Sequence, residues 1–455
     1  MAQAKTSYVC QSCGYRAPRW LGRCPDCGAW SSLVEEWVAP SRSKGARRAV
    51  EEDAAAVPLA AIDSAATPRQ CTGMDEFDRV LGGGLVPGSV VLIGGDPGIG
   101  KSTLVLQALA ALGNAEQPAL YVSGEESREQ IKLRAERLGL ANTPVMLLTA
   151  TDVEAIVERA KRIKPAVLAV DSIQTMWAAE LESAPGNISQ VRECAARFVR
   201  LAKETYVPTL LVGHVTKEGA FAGPRVLEHM VDTVLSFEGD RSHAFRILRS
   251  VKNRFGSTNE IGVFEMTERG LQPVGNPSAH FLAERPRAAA GSVVVACMEG
   301  SRPMLIEVQA LVSPSALANP RRTTLGFDPN RASMLVAVLE KKLGLQLFGQ
   351  DVFINAAGGM RISEPAADLA IAAALASSFL DQPLDPELVV FGEVGLAGEI
   401  RGVQHAQLRV QEAARLGLRR CLLPQTNVRQ IEGLPEMERV GVASLSEAWE
   451  VLFRR

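Results

Sequence analysis

The chain has 455 residues, of which 47% are hydrophobic and 22% charged, and a formal net charge of −2. That near-neutral balance excludes a protein that coats nucleic acid through bulk charge. No run approaches the ~20 apolar residues that cross a bilayer, so a transmembrane helix is excluded as well. The length suits two or three domains, each able to bury its own core. The opening Met1-Ala2-Gln3-Ala4-Lys5 leads into no apolar targeting stretch, so a cytoplasmic location is expected.

Four of the eight cysteines fall in the first 27 residues, as Cys10-x2-Cys13 and Cys24-x2-Cys27, with Gly14 and Gly28 following each pair. Two such knuckles supply the four thiolates of a tetrahedral site, and the glycines suit tight turns whose amides face the sulfurs. Structural Zn²⁺ held by Cys10, Cys13, Cys24 and Cys27 is the expectation. An iron-bearing rubredoxin-like site and a redox dithiol pair use the same pattern. A segment as short as 1–39 has almost no core, so the metal would be its fold. Cys71, Cys194, Cys297 and Cys421 are scattered and read as small core hydrophobes. Residues 40–58 mix Arg42, Lys44, Arg47 and Arg48 with Glu51, Glu52 and Asp53 in Ala and Ser, without an apolar period, as a flexible linker does.

From 59 to 273, apolar runs at 90–93, 119–122, 145–148, 167–170, 209–212 and 233–237 alternate with helical patterns at 126–138, 152–163 and 189–204. Alternation of this kind predicts an α/β domain with a mostly parallel, doubly wound sheet and its ligand at the strand C-terminal ends. The first run enters Gly95-Asp96-Pro97-Gly98-Ile99-Gly100-Lys101-Ser102, which fits G-x-x-x-x-G-K-[ST]. In such a loop, backbone N–H groups wrap the α- and β-phosphates, Lys101 faces the β/γ oxygens and the Ser102 hydroxyl ligates Mg²⁺. The run at 167–170 ends in Asp171, placed as a Walker-B carboxylate is, beside the Mg²⁺ water shell. The run at 119–122 leads into Glu125 and Glu126, and Glu125 is the preferred base for the attacking water. Acids also favour a helix's first turn, which is the bland reading of this pair.

Lys252-Asn253-Arg254-Phe255-Gly256 follows the last of these runs and, on composition alone, reads as an exposed basic turn. Its two cations can alternatively meet nucleic-acid phosphates or a neighbouring subunit's nucleotide, as an arginine finger does. Residues 274–290 read as a second linker. A second α/β region, 291–455, has strand runs at 292–297, 305–311, 352–354, 388–391 and 420–423, and helices near 331–343, 366–380 and 404–416.

Taken in order, the four-Cys knuckle, Gly-Asp-Pro-Gly-Ile-Gly-Lys-Ser-Thr, the strand ending in Asp171, Lys-Asn-Arg-Phe-Gly and the C-terminal α/β domain resemble the RadA (Sms) family of bacterial DNA-repair ATPases. The resemblance covers essentially the whole chain. It implies a RecA-like motor in a homo-oligomeric ring, hexameric as in DnaB-type helicases, acting in homologous recombination. Such a motor binds single-stranded and branched DNA, drives branch migration with ATP and works beside the recombinase RecA. By the same resemblance Gly95, Asp96, Pro97, Gly98, Ile99, Gly100, Lys101, Ser102 and Thr103 bind ATP·Mg²⁺, with Glu125 as base. Lys252 and Arg254 act across the subunit interface or in coupling to DNA. His214 stands where such motors sense the γ-phosphate, and Lys217 and Arg225, in the segment after it, are DNA-contact candidates.

The C-terminal region resembles the proteolytic domain of Lon but lacks the nucleophile–base pair. The matching turn reads Glu364-Pro365-Ala366-Ala367-Asp368 and the later motif Gly398-Glu399-Ile400-Arg401, so Ala366 offers no nucleophile and Arg401 no base. A scaffold for ring assembly is therefore expected. Its basic residues Arg321, Arg322, Arg331, Lys341 and Lys342 are candidates for a DNA-binding face. An ATP-dependent protease and a KaiC-like nucleotide-switched scaffold are the rival readings.

Overall fold

The computed structural model describes residues 5–10, 15–26, 28–30, 32–38, 58, 68–214, 226–239, 245–286, 288–316, 319–433 and 436–453. Of the expected site residues, Cys13, Cys27, Lys217 and Arg225 lie outside the described residues, as does nearly all of the 40–58 linker. The chain divides into two compact units, 1–273 and 274–455.

At the N-terminus β1 (Lys5–Cys10), β2 (Arg16–Ala17) and β3 (Leu33–Val38) pair antiparallel in the order β2-β1-β3. Among the described residues its buried cluster is Cys10, Ala17, Cys24 and Leu33, packed by Tyr8 and Leu21. So small a core stabilises little, in keeping with a segment that folds around a metal.

The rest of the first unit runs α1 (Asp75–Leu81), β4 (Val90–Gly95), α2 (Lys101–Leu112), β5 (Ala119–Ser123), α3 (Arg128–Arg137), β6 (Val145–Thr149), α4 (Val153–Ile163), β7 (Leu168–Asp171), α5 (Ile188–Thr205), β8 (Thr209–His214), α6 (Val226–Met230), β9 (Thr233–Glu238), β10 (Phe245–Asn253), β11 (Ile261–Thr267) and β12 (Gly270–Pro273). Among the described residues these strands form one sheet in the order β12-β11-β10-β9-β4-β8-β7-β5-β6. The six from β9 to β6 are parallel, and β10, β11 and β12 continue it antiparallel.

Helices cover both faces, so β4, β5 and β7 are buried along their whole length, which is why they read as unbroken apolar runs. One face packs Leu104, Val105 and Leu109 of α2; the other packs Val191, Phe198 and Leu201 of α5. Each such side chain is worth roughly 1.5–3 kcal/mol of burial. Helix starts follow the local chemistry: Ser127 and Gln130 form a capping box on α3, and the Asp152 side chain caps α4.

The second unit runs α7 (Pro277–Leu282), β13 (Ser292–Glu299), β14 (Arg302–Pro314), β15 (Arg322–Leu325), α8 (Pro329–Leu343), β16 (Gln350–Ala356), α9 (Asp368–Leu380), β17 (Leu388–Val390), β18 (Glu393–Val394), β19 (Ile400–Arg401), α10 (Ala406–Arg415), β20 (Arg420–Pro424), α11 (Gln425–Val428), β21 (Glu438–Val442) and α12 (Leu445–Phe453). Its mixed sheet has the order β15-β16-β14-β13-β17-β20-β21, and β18 and β19 pair apart from it.

Two expectations change. Residues 274–290 are not a linker. They carry α7, bury Phe281, and place Ser278 Oγ to donate to Glu412 (2.7 Å) and accept from Leu305 N (3.1 Å), inside the second unit. Nor is Lys252-Asn253 part of an exposed turn. Both residues end β10, with two further strands after them.

Candidate active site

Strand register assembles the site. Gly95 of β4 pairs with His214 of β8, and Asp171 of β7 pairs with Ser123 of β5 and Val212 of β8. Four adjacent strands thus end in a row on one sheet edge, where parallel α/β sheets bind ligands. Gly98 and Gly100 take φ values of 78° and 118°, which lets the loop turn into α2. At Gly95 a Cβ would stand 2.4 Å from Phe237 O, so only glycine lets β4 and β9 approach there.

A cavity of about 490 Å³ opens on this edge, lined by Pro97, Gly98, Gly100, Lys101, Ser102 and Thr103, with Glu125, Glu126, Asp171 and His214 facing them. Lys101 is nearly fully buried, and its ammonium donates to Gly95 O (2.7 Å) and Asp96 O (2.9 Å). Burial lowers its pKa below the usual lysine range, opposed by the negative charges of Asp171, Asp96 and Glu125. The Ser102 hydroxyl and the Asp171 carboxylate in the same cavity are the hard oxygen donors that Mg²⁺ takes. These residues fit the ion; it would neutralise phosphate charge between them.

The two glutamates have different surroundings. Glu125 Oε1 accepts from Ser172 Oγ and lies 3.3 Å from His214 Nε2, with its side chain 44% exposed to the cavity. Glu126 is ion-paired with Arg134 of α3. Glu125 therefore has an anchored but uncommitted carboxylate, while Glu126 is occupied by a guanidinium. The cavity also takes Arg134, Arg137, Arg246 and Met266, which the sequence reading missed. The i, i+3 spacing of Arg134 and Arg137 on the helix that leaves Glu126 is the signal that pointed to the first two.

Lys252 and Arg254 are not brought to this edge. Asn253 pairs with Thr233, which pairs in turn with Val91 near the start of β4. Val91 is four steps of about 3.3 Å from Gly95 at the other end of β4, so Asn253 sits roughly 13 Å down the sheet from its own phosphate loop. The Lys252 ammonium donates to Glu228 O (2.6 Å) and Val231 O (2.8 Å), and Asn253 Nδ2 donates to Val80 O and Leu81 O (both 3.2 Å) at the end of α1. Arg254 lies 3.5 Å from buried Asp232, with its side chain 57% exposed. Of the two cations, Arg254 is the one presented to solvent.

Comparison with known proteins follows the same division. Residues 8–35 match the family described as a rubredoxin metal binding domain, 73–220 an AAA domain, and 342–452 the Lon protease (S16) C-terminal proteolytic domain. The chain is 52% identical to the DNA repair protein RadA of Bacillus subtilis (strain 168) over 451 residues, covering 98% of each. It is 51% identical to that of Halalkalibacterium halodurans over 458 residues, covering all of both. The chain belongs to the RadA family of DNA repair proteins. The RadA protein of Listeria monocytogenes is 51% identical over 98% of both chains. A solved structure of the RadB recombinase aligns with 45% of this chain and 99% of its own, at 25% identity and a TM-score of 0.37.

Within this RadA-family chain, the two residues matched to the Lon pair have different surroundings. Ala366 is buried, and its carbonyl accepts from Gly392 N (2.8 Å). Arg401 is 59% exposed and paired with Glu399 and Glu393. Two cations hold the Glu364–Asp368 turn: Arg331 of α8, forked on Asp368, and Arg409 of α10, only 2% exposed. Its guanidinium grips Glu364 in a fork (2.8 and 2.7 Å) and donates to Ala296 O (2.6 Å). Its position on the same helix face as Ala406, Val410 and Ala413 was the available signal, since a charge there needs a buried partner.

Proposed function

We propose that this protein is a DNA-dependent ATPase of recombinational repair, a ring-forming motor that translocates on single-stranded DNA and drives branch migration in the cytoplasm. The observation that carries the reading is the row of strand ends that gathers Lys101, Ser102, Asp171, Glu125 and His214 around one cavity. Lys101 and the loop amides hold the phosphates, and Ser102 and Asp171 hold the Mg²⁺. Glu125 orients and deprotonates the attacking water, its position set by Ser172 and His214. His214 ends β8 and lies 3.3 Å from Glu125, so it ties that strand end to the base through one side chain. RecA is the partner recombinase and Zn²⁺ the metal of the N-terminal knuckle.

Arg254 stands too far from its own phosphate loop to act there and serves the nucleotide of a neighbouring subunit. Lys252 fastens α6 and so sets the strand end from which Arg254 projects. Ala366 carries no nucleophilic atom and Arg401 stays protonated, so the Lon-like unit works as a scaffold and not as a peptidase. Mixing Arg254→Ala with Lys101→Ala subunits tests the trans role. Recovery of hydrolysis at mixed interfaces is expected, and mixed rings that stay inactive would contradict it.

A further inference from the structure

Tyr121 lies in the middle of β5, 1% exposed, and takes part in none of the steps described so far. Its neighbour strand is β7, in parallel register with Tyr121 opposite Ala169 and Ser123 opposite Asp171. Residues two apart on a strand share a face, about 6.6 Å along it, and paired residues on adjacent strands share that face too. A tyrosine two residues before the strand end therefore has the reach to bring its hydroxyl to the carboxylate at the end of the next strand. The structure shows that contact: Tyr121 Oη donates to Asp171 Oδ2. A phenol buried this deeply needs an acceptor, and among the described residues Asp171 is the one it has.

We infer that Tyr121 is the positioning residue of the magnesium site: by donating to Oδ2 it fixes the Asp171 carboxylate that would help hold Mg²⁺. The inference rests on reading Asp171 as the magnesium carboxylate. Such outer partners of metal-binding groups orient them, and losing one typically lowers metal affinity or activity 10–100-fold. Tyr121 touches neither nucleotide nor metal, so its loss is expected to act through Mg²⁺ dependence and leave the phosphate loop intact.

The test uses the full-length protein as wild type, Tyr121→Phe, Asp171→Asn and the double variant. Binding of a fluorescent ATP analogue (mant-ATP) and hydrolysis of ATP are each titrated with Mg²⁺. Tyr121→Phe should raise the Mg²⁺ concentration at half-maximum about tenfold in both readouts. Its metal-free binding of mant-ATP should be unchanged, which also certifies the fold, and high Mg²⁺ should restore its hydrolysis. In the Asp171→Asn background the second change should add less than about twofold, because the group being positioned is gone. If Asp171→Asn shifts the Mg²⁺ dependence and Tyr121→Phe does not, the inference is overturned while the site assignment stands. Equal shifts from Tyr121→Phe in both backgrounds also overturn it. If Asp171→Asn itself leaves the Mg²⁺ dependence unmoved, the assignment of Asp171 fails and the inference falls with it.

Discussion

Glu125→Gln and Glu126→Gln separate two adjacent carboxylates by the company they keep. The amide at 125 preserves shape and can still accept from Ser172 Oγ, but it cannot take a proton from water. Removing a general base costs about 10²–10⁴-fold in kcat, equivalent to ~2.7–5.4 kcal/mol at the transition state. At 126 the change discharges one partner of an ion pair whose side chains are 18% and 33% exposed. Solvent screening holds such a pair to about 1 kcal/mol, so less than a tenfold loss is expected. Single-turnover hydrolysis, with nucleotide binding measured separately, reads the chemical step. Glu125→Gln should bind ATP near wild-type strength and fail to turn it over. A severe loss at 126 beside a mild one at 125 would refute the reasoning and hand the base role to Glu126.

Metal analysis of the purified protein should find about one Zn²⁺ per chain, the stoichiometry of a four-thiolate site, and Cys24→Ser should lose it. A metal-free protein with native activity would contradict the site. In the second unit, Arg409→Met should cost about 2–3 kcal/mol of stability. That is below the 3–5 kcal/mol usual for breaking a buried pair, because the Glu364 left behind is 22% exposed. A urea midpoint for that unit unchanged from wild type would show that the pair does not hold the turn.

The phosphate loop, Asp171 and the parallel core were legible because buried strands leave short unbroken apolar runs, such as 90–93 ending at Gly94 and 167–170 ending at Asp171. The antiparallel extension was not. In β10 the sequence Phe-Arg-Ile-Leu-Arg-Ser-Val-Lys-Asn buries Arg246 and Ser250 and half-buries Ile247, so neither periodicity nor polarity marks it as a strand. Lys252 and Arg254 therefore read as free basic residues until the pairing of Asn253 with Thr233 placed them at the far end of the sheet. Helix α7 hid in a Pro- and Ala-bearing stretch because its anchors, Ser278 to Glu412 and to Leu305 N, are long-range. Register was equally invisible, and with it the reach of Tyr121 to Asp171, which depends on Ser123 standing opposite that aspartate.

The central claim is that the site gathered at the strand ends hydrolyses ATP in a DNA-coupled cycle. The direct measurement is ATP hydrolysis by the full-length protein with and without single-stranded DNA, using Lys101→Ala as the blank. Hydrolysis above that blank and clearly stimulated by DNA is predicted. Hydrolysis indifferent to DNA would contradict the motor and favour a nucleotide-switched scaffold.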